Sequence, residues 1–229
     1  STSTATTLPI FNNTGANTLV MGGTAAQTID VATNVTILTG ATLRIANGAD
    51  VALAPTSGTG RAYKLGGTLT VDAGGSFSLG QNTLTVETAV TNNGTLKQTM
   101  TVNNATVAFL NLKNGAGTTD KYFGVQIATS NNLGNTIVSV SGNQVCSQAN
   151  GYPVKRCFVI NPTTNANSNV TFYYTQAEMQ GQNAANLKVW KYNGSWSQVS
   201  ISGTTAWSCA ANQLNCNVAV TAVSSYDPP

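Results

Sequence analysis

Val35-Thr36-Ile37, Leu43-Arg44-Ile45, Val51-Ala52-Leu53, Leu69-Thr70-Val71, Phe77-Ser78-Leu79 and Leu84-Thr85-Val86 form a ladder of apolar-polar-apolar triplets. The first three begin eight residues apart, the last three eight and then seven. Alternation of apolar and polar side chains marks a half-buried strand, so each triplet is one short strand. Gly40, Asn47-Gly48, Gly74-Gly75, Gly80, Asn82 and then Asn92-Asn93-Gly94 supply the tight corners between strands. A strand and a corner repeating every eight residues predict a β-solenoid with two or three such units per turn. No unit buries its inner face alone, so the units must stack, about 4.8 Å apart.

Working outward, the period breaks between Leu53 and Leu69. Pro55 to Lys64 reads there as a loop carrying Arg61, Tyr63 and Lys64, the densest cationic and aromatic group of this half. It is either a solvated insertion or a surface contact for a neighbouring copy or a glycan. Upstream, 17–21 and 28–31 add two strand candidates, so the solenoid is expected over 17–99. Residues 1–16 form a separate N-terminal strand segment. Its stretch Thr6, Thr7, Leu8, Ile10 and Phe11 is β-prone and uncharged, while Pro9 disfavours a central strand of the chain's own sheet. Either this segment covers the open end of the ladder, or it is a donor strand for self-assembly that pairs with the sheet edge of another copy.

From Met100 the strands lengthen and the pattern changes. Strand candidates at 100–102, 107–112, 123–128, 136–140, 157–160, 170–174, 187–192, 196–199 and 218–223 predict an antiparallel β-sandwich over 100–229. Asn193-Gly194 is a strong hairpin turn. The single helical candidate runs from Thr175 to Gly181, with Thr175 and Glu178 spaced as a capping box. No linker composition marks residue 100, so the fold expected is all-β: a short solenoid packed on a sandwich through one continuous core.

Composition narrows function. Charged residues make up 7% of the chain, against about 25% in ordinary globular proteins. Net charge is +3 and only Lys155-Arg156 are adjacent basic residues, which argues against nucleic-acid binding by clustered cations. The chain has no histidine. No apolar run approaches the roughly 20 residues of a membrane span, so no membrane insertion is expected. The acidic residues are Asp30, Asp50, Asp72, Glu87, Asp120, Glu178 and Asp227. Glycosidase chemistry needs two carboxylates about 5–10 Å apart, and only Asp50 and Asp72 could stack on neighbouring turns. Single corner aspartates are the simpler reading. No carboxylate cluster suggests calcium, and the cysteine spacings do not suit zinc. The expectation is therefore no catalytic residue, no metal and no cofactor.

Four cysteines allow three pairings. Cys146 with Cys157 and Cys209 with Cys216 are the local ones, each worth about 3 kcal/mol in the chain-entropy view; free buried thiols are the alternative. Disulfides imply an oxidising, extracellular setting, and Ser1 reads as a mature N-terminus after processing. Six Asn-x-Ser/Thr sites permit glycosylation without requiring it.

The stretches 155–162, 170–174 and 177–181, then 187–191 with Trp196 and 223–226, resemble in order and spacing a module of bacterial secreted and cell-surface adhesin-like proteins. In those proteins a C-terminal β-sandwich follows a β-solenoid. The resemblance covers roughly residues 100–229, and the two cysteine pairs are not usual for the family. It implies export, a cell-surface role and no catalytic residues. The expected function is a secreted structural subunit whose partners are other copies of itself, assembling head-to-tail into an extracellular filament or surface layer. The alternative is a monomeric glycan-binding or adhesive module. Tyr63, Tyr152, Trp190, Trp196 and Trp207 would be its platforms, with Trp190 better suited to core packing.

Overall fold

The computed structural model describes residues 17–31, 36–38, 40–56, 58–112, 122–147, 149, 151, 153–199, 207–208 and 216–226. Thr6, Thr7, Leu8, Ile10, Phe11, Asp120, Tyr152, Cys209, Asp227 and the Trp207 side chain lie outside the described residues. Strand accounts for 54% and helix for 3%, so the chain is all-β.

The triplets become strands in threes. β1 (Thr18–Met21), β2 (Gln27–Ile29) and β3 (Thr36–Ile37) precede β4 (Thr42–Ile45), β5 (Asp50–Leu53) and β6 (Ala62–Leu65). β7 (Thr68–Val71), β8 (Ser76–Ser78) and β9 (Thr83–Val86) follow, then β10 (Ala89–Asn92) and β11 (Thr95–Asn103). Every third strand joins the same sheet in parallel: β1-β4-β7-β10, β2-β5-β8-β11 and β3-β6-β9. The register stacks like on like. Leu43 sits between Leu19 and Leu69, Phe77 between Val51 and Leu96, and Leu65 between Ile37 and Val86. These inward columns are dry: Leu43, Val51, Leu65, Leu69, Phe77 and Leu96 are all buried. Such side chains each contribute about 1.5–3 kcal/mol through burial, which no single strand of two to four residues could secure alone.

The break in the periodicity hides a seventh triplet. Tyr63-Lys64-Leu65 forms most of β6, pairing with β3 and β9. The excursion from the ladder is thus shorter than 55–64. Close approach of successive turns explains some corners. A Cβ at Gly67 would lie 1.7 Å from the Ala41 carbonyl oxygen of the turn before, and Gly74 takes φ +77°, a left-handed conformation open mainly to glycine.

Polar side chains seal the end of the ladder. Asn82 is fully buried; its Nδ2 donates to the carbonyl oxygens of Leu53 (3.2 Å) and Leu79 (2.7 Å), and its Oδ1 accepts from the Arg61 N–H (2.8 Å). The Gln98 Nε2 donates to the Asn82 carbonyl oxygen at 2.8 Å, and its Oε1 accepts from the Leu110 N–H. Backbone groups that the short strands leave unpaired are satisfied by these two amides.

β11 carries the fold across residues 99 and 100. Its first residues pair in parallel with β8, and along its whole length it pairs antiparallel with the next long strand. The remaining strands are β12 (Thr106–Phe109), β13 (Val125–Ala128), β14 (Asn132–Gly142), β15 (Arg156–Pro162), β16 (Ser168–Tyr174), β17 (Trp190–Tyr192), β18 (Trp196–Gln198), β19 (Trp207–Ser208) and β20 (Cys216–Val223). β14 and β15 extend the second parallel sheet to the order β15-β14-β11-β8-β5-β2. β12-β13-β16-β20-β19 form an antiparallel sheet. The two sheets meet at Phe158 of β15 and Phe172 of β16, whose rings lie 5.0 Å apart edge to face. One core runs from Ile29 to Tyr226. Asn193-Gly194 turns the β17–β18 hairpin, Gly194 at φ +70°.

Asn82→Ala leaves the carbonyl groups of Leu53 and Leu79 and the Arg61 N–H buried without that partner. The expected loss is about 1–3 kcal/mol, seen by calorimetry as a melting temperature lower by several degrees. An unchanged melting temperature would mean that the amide is not part of the seal.

Candidate functional site

The residues singled out in the first half do not converge on a binding site. Tyr63 was expected on a surface loop but faces the core, 3% exposed, because it occupies an inward position of β6. Its hydroxyl donates to the Ala54 carbonyl oxygen. Arg61 pairs with Asp30 at 2.8 Å and Lys64 with Glu87 at 2.5 Å. Arg44 pairs with Asp72 at 2.8 Å. Each of these ion pairs ties one turn of the ladder to the next. Asp50 and Asp72 do not stack: Asp50 opens β5 of one sheet, and Asp72 follows β7 of another. Of the described acidic residues only Asp50 lacks a cationic partner within ion-pair distance.

The second half brings together residues the sequence did not link. Glu178 follows β16 in a 3-10 turn, Ala177–Met179. The expected capping box forms, the Thr175 N–H donating to Glu178 Oε2 at 2.8 Å and the Glu178 N–H to Thr175 Oγ1 at 3.3 Å. The same carboxylate is buried against Arg156 of β15. Arg156 Nε donates to Glu178 Oε1 at 3.0 Å and a terminal nitrogen lies 2.9 Å from Oε2; the two side chains are 2% and 3% exposed. Two further guanidinium hydrogens are used too. Arg156 donates to the carbonyl oxygens of Phe123 (2.9 Å) and Tyr173 (2.8 Å), and its plane sits 4.6 Å from the centre of the Tyr122 ring. Loss of hydration pushes the Tyr122 hydroxyl pKa up, against the lowering effects of Arg156 and Asn92. That hydroxyl accepts from Asn92 Nδ2 at 2.8 Å, which joins the network to β10 of the ladder. The bidentate geometry gives both buried side chains hydrogen bonds in place of the lost water.

Beside this pair lies an open strand edge. β15 stands at the end of its six-stranded sheet, with β14 its one partner among the described strands. The Thr163 N–H donates to the Asn135 carbonyl oxygen, and the register places Pro162 opposite Thr136. In an antiparallel ladder hydrogen-bonded pairs alternate with non-bonded ones, so Cys157, Val159 and Asn161 bond to β14. Phe158 and Ile160 therefore turn their N–H and C=O groups outward, while their side chains face the antiparallel sheet. A cleft of about 690 Å³ runs along this edge, lined by Phe158, Ile160, Phe172, Val189, Trp190 and Val220 among others. Phe158, Phe172 and Val189 are only half-buried. Trp190, expected in the core, is 53% exposed because it stands at the mouth of the cleft. Tyr192 and Trp196 pack across their hairpin with ring centres 5.2 Å apart and planes inclined by 55°.

The cysteines bracket the cleft. Cys146 and Cys157 are joined, with Cα atoms 4.9 Å apart, anchoring the loop before β15 to that strand. Cys216 is buried at the start of β20 and disulfide-bonded. A small second core of Tyr174, Met179, Leu187, Cys216 and Val218 supports the cleft from behind. No group of three or more metal-binding side chains occurs among the described residues, and no described helix is long and apolar enough to cross a membrane. No protein-family model, curated protein or solved structure matches this chain.

Two measurements test the buried chemistry. Arg156→Met or Glu178→Leu alone strands a buried charge and costs about 3–5 kcal/mol. The double variant restores a neutral interior and loses less than the sum, read as a coupling energy in a denaturant double-mutant cycle; additive losses would mean that the pair is not coupled. The second concerns the Tyr174 hydroxyl, which is buried with no hydrogen-bond partner among the described residues. Burial pushes its pKa up to about 12. The unfolded chain releases this proton near pH 10 and the folded chain holds it to about 12, so its contribution to stability is full below pH 10 and lost as pH rises through that window. Tyr174→Phe should cost little at pH 7 and make the urea midpoint fall less steeply between about pH 10 and 12 than in the wild type.

Proposed function

We propose that the chain is a secreted structural subunit of an extracellular filament or surface layer, polymerising head-to-tail. In this reading the three parallel sheets are the faces of a short β-solenoid, 17–99, and the antiparallel strands of 100–229 are a β-sandwich capping one end. The likeness of 155–226 to adhesin-like surface proteins supports export and a role at the cell surface.

One observation carries the reading: among the described residues, strand edges lie open at both ends of the same stack. β1, β2 and β3 are each the first strand of a parallel sheet, with one partner apiece among the described strands, while β15 closes the other end of the longest sheet with one described partner. Unpaired strand edges are templates for another chain, and natural proteins usually blunt them with charge or cover. Here the first 29 residues carry no charge at all, and the ladder's charges are largely consumed in ion pairs between its own turns. Contacts between unlike ends do not close, so they propagate.

A second reading rests on the exposed ring of Trp190 beside Tyr192 and Trp196. Such an aromatic surface could stack on the apolar face of a sugar, as a monomeric glycan-binding module would need. Electron microscopy of the secreted protein separates the two. Filaments or sheets with a regular axial repeat are expected; dispersed monomers at high concentration, together with retention on a glycan array, would favour the second.

A further inference from the structure

We infer that the cleft along β15 is the acceptor site for residues Thr6–Phe11 of a second copy of this chain. The inference rests on the polymer reading above and adds where, in which direction and by which residues the copies join.

The acceptor has the two elements that strand addition needs. Outward N–H and C=O groups at Phe158 and Ile160 offer main-chain hydrogen bonds. The adjoining apolar cleft, with half-buried Phe158 and Phe172 along it, takes alternate side chains. The donor matches in length, six residues against the seven of β15. It matches in pattern as well: Leu8 and Ile10 are two apart and reach one face of a strand, with Pro9 between them.

Proline fixes the direction. N–H and C=O of one residue point to the same side of a strand, and alternate residues point to opposite sides. If Leu8 and Ile10 bond to β15, Pro9 turns away from it, where its missing N–H costs nothing. In an antiparallel pairing, bonded residues lie directly opposite each other, so Leu8 and Ile10 share the inner face with Phe158 and Ile160. A parallel pairing of the same bonded residues would put them across from Cys157, Val159 or Asn161, on the outer face. The cleft therefore takes the donor antiparallel to β15.

Length assigns the donor to another copy. Asn17 begins the described chain beside β1, in the same turn as β2. A strand added to β15 stands six strand spacings from β2 in the order β15-β14-β11-β8-β5-β2, about 29 Å at the usual spacing. Six residue steps from Phe11 to Asn17 reach at most about 21 Å. The chain's own segment falls short, and a neighbour stacked on the β15 end does not. Donor and acceptor then belong to opposite ends of the stack of strands, and the donor lengthens the second sheet of the neighbouring subunit by one strand.

The test uses the full chain under conditions where it polymerises. A photo-crosslinking benzoylphenylalanine replaces Trp190, an exposed aromatic whose exchange spares the core, and in a second preparation Phe158. Irradiation should give covalent dimers and higher oligomers, with mass spectrometry placing the link within residues 6–11 of the other copy. In parallel, Leu8→Lys with Ile10→Lys should lower the polymer fraction at least tenfold in a sedimentation assay, while circular dichroism remains that of the wild type. Links confined to a single chain, links to any other segment, or full polymerisation of the double lysine variant would overturn the acceptor site and leave the filament reading standing. Absence of polymer from the wild type would overturn both.

Discussion

Backbone groups that leave water must be paired, and this chain meets that demand almost wholly through neighbouring strands. Its strands are too short to be stable alone, and each parallel strand presents hydrogen-bonding groups on both sides. One turn of the ladder is therefore stable only between two others. β11 resolves the problem at the internal end. It accepts β8 on one side in parallel and offers its other side, extended to nine residues, to the antiparallel β14. The sheet thus changes pairing mode without an exposed boundary, and the buried amides of Asn82 and Gln98 satisfy the corners where no strand is available.

The same demand explains a fully buried charge pair in a chain so poor in charges. Where β15, the 3-10 turn and the loop after β14 converge, several backbone groups face inward without strand partners. Arg156 supplies donors to two carbonyl oxygens, and Glu178 accepts from the backbone N–H groups of Thr175 and Asn143. The pair serves as a polar knot for main chain that cannot form sheet. It also fixes the Arg156 end of β15, which has a single partner among the described strands.

The ladder was legible in the sequence because period-two alternation and eight-residue spacing report the same surface twice. Tyr63-Lys64-Leu65 is hard to read as a strand because glycines and cations around it dilute the pattern; the inward positions of Tyr63 and Leu65 are plain only in register with Ile37, Leu84 and Val86. Thr175 and Glu178 could be read as a capping box, a local signal three residues long. That Glu178 also receives Arg156, 22 residues away, depends on two strands brought side by side and leaves no mark in spacing. Trp190 shows the limit of residue type as a guide. Its size suggests the core, but its strand belongs to a two-stranded hairpin with a face of its own. The place of β15 at the end of the described sheet is a property of sheet order, which no local pattern in this sequence carries.

The winding of the ladder has a mechanical side. Thr42 and Thr68 are neighbours across one strand spacing, yet 26 residues of chain separate them. Drawn straight, that chain would span about 90 Å, against the roughly 4.8 Å it occupies along the stack. A pull along the stacking axis loads the hydrogen bonds of all three sheets at once, so the first response is stiff. Should one turn let go, it pays out many times its own height in slack before the covalent chain is taut, and the turns beyond it remain closed. The coil behaves as a series of fuses with stored length, yielding by steps under load instead of snapping.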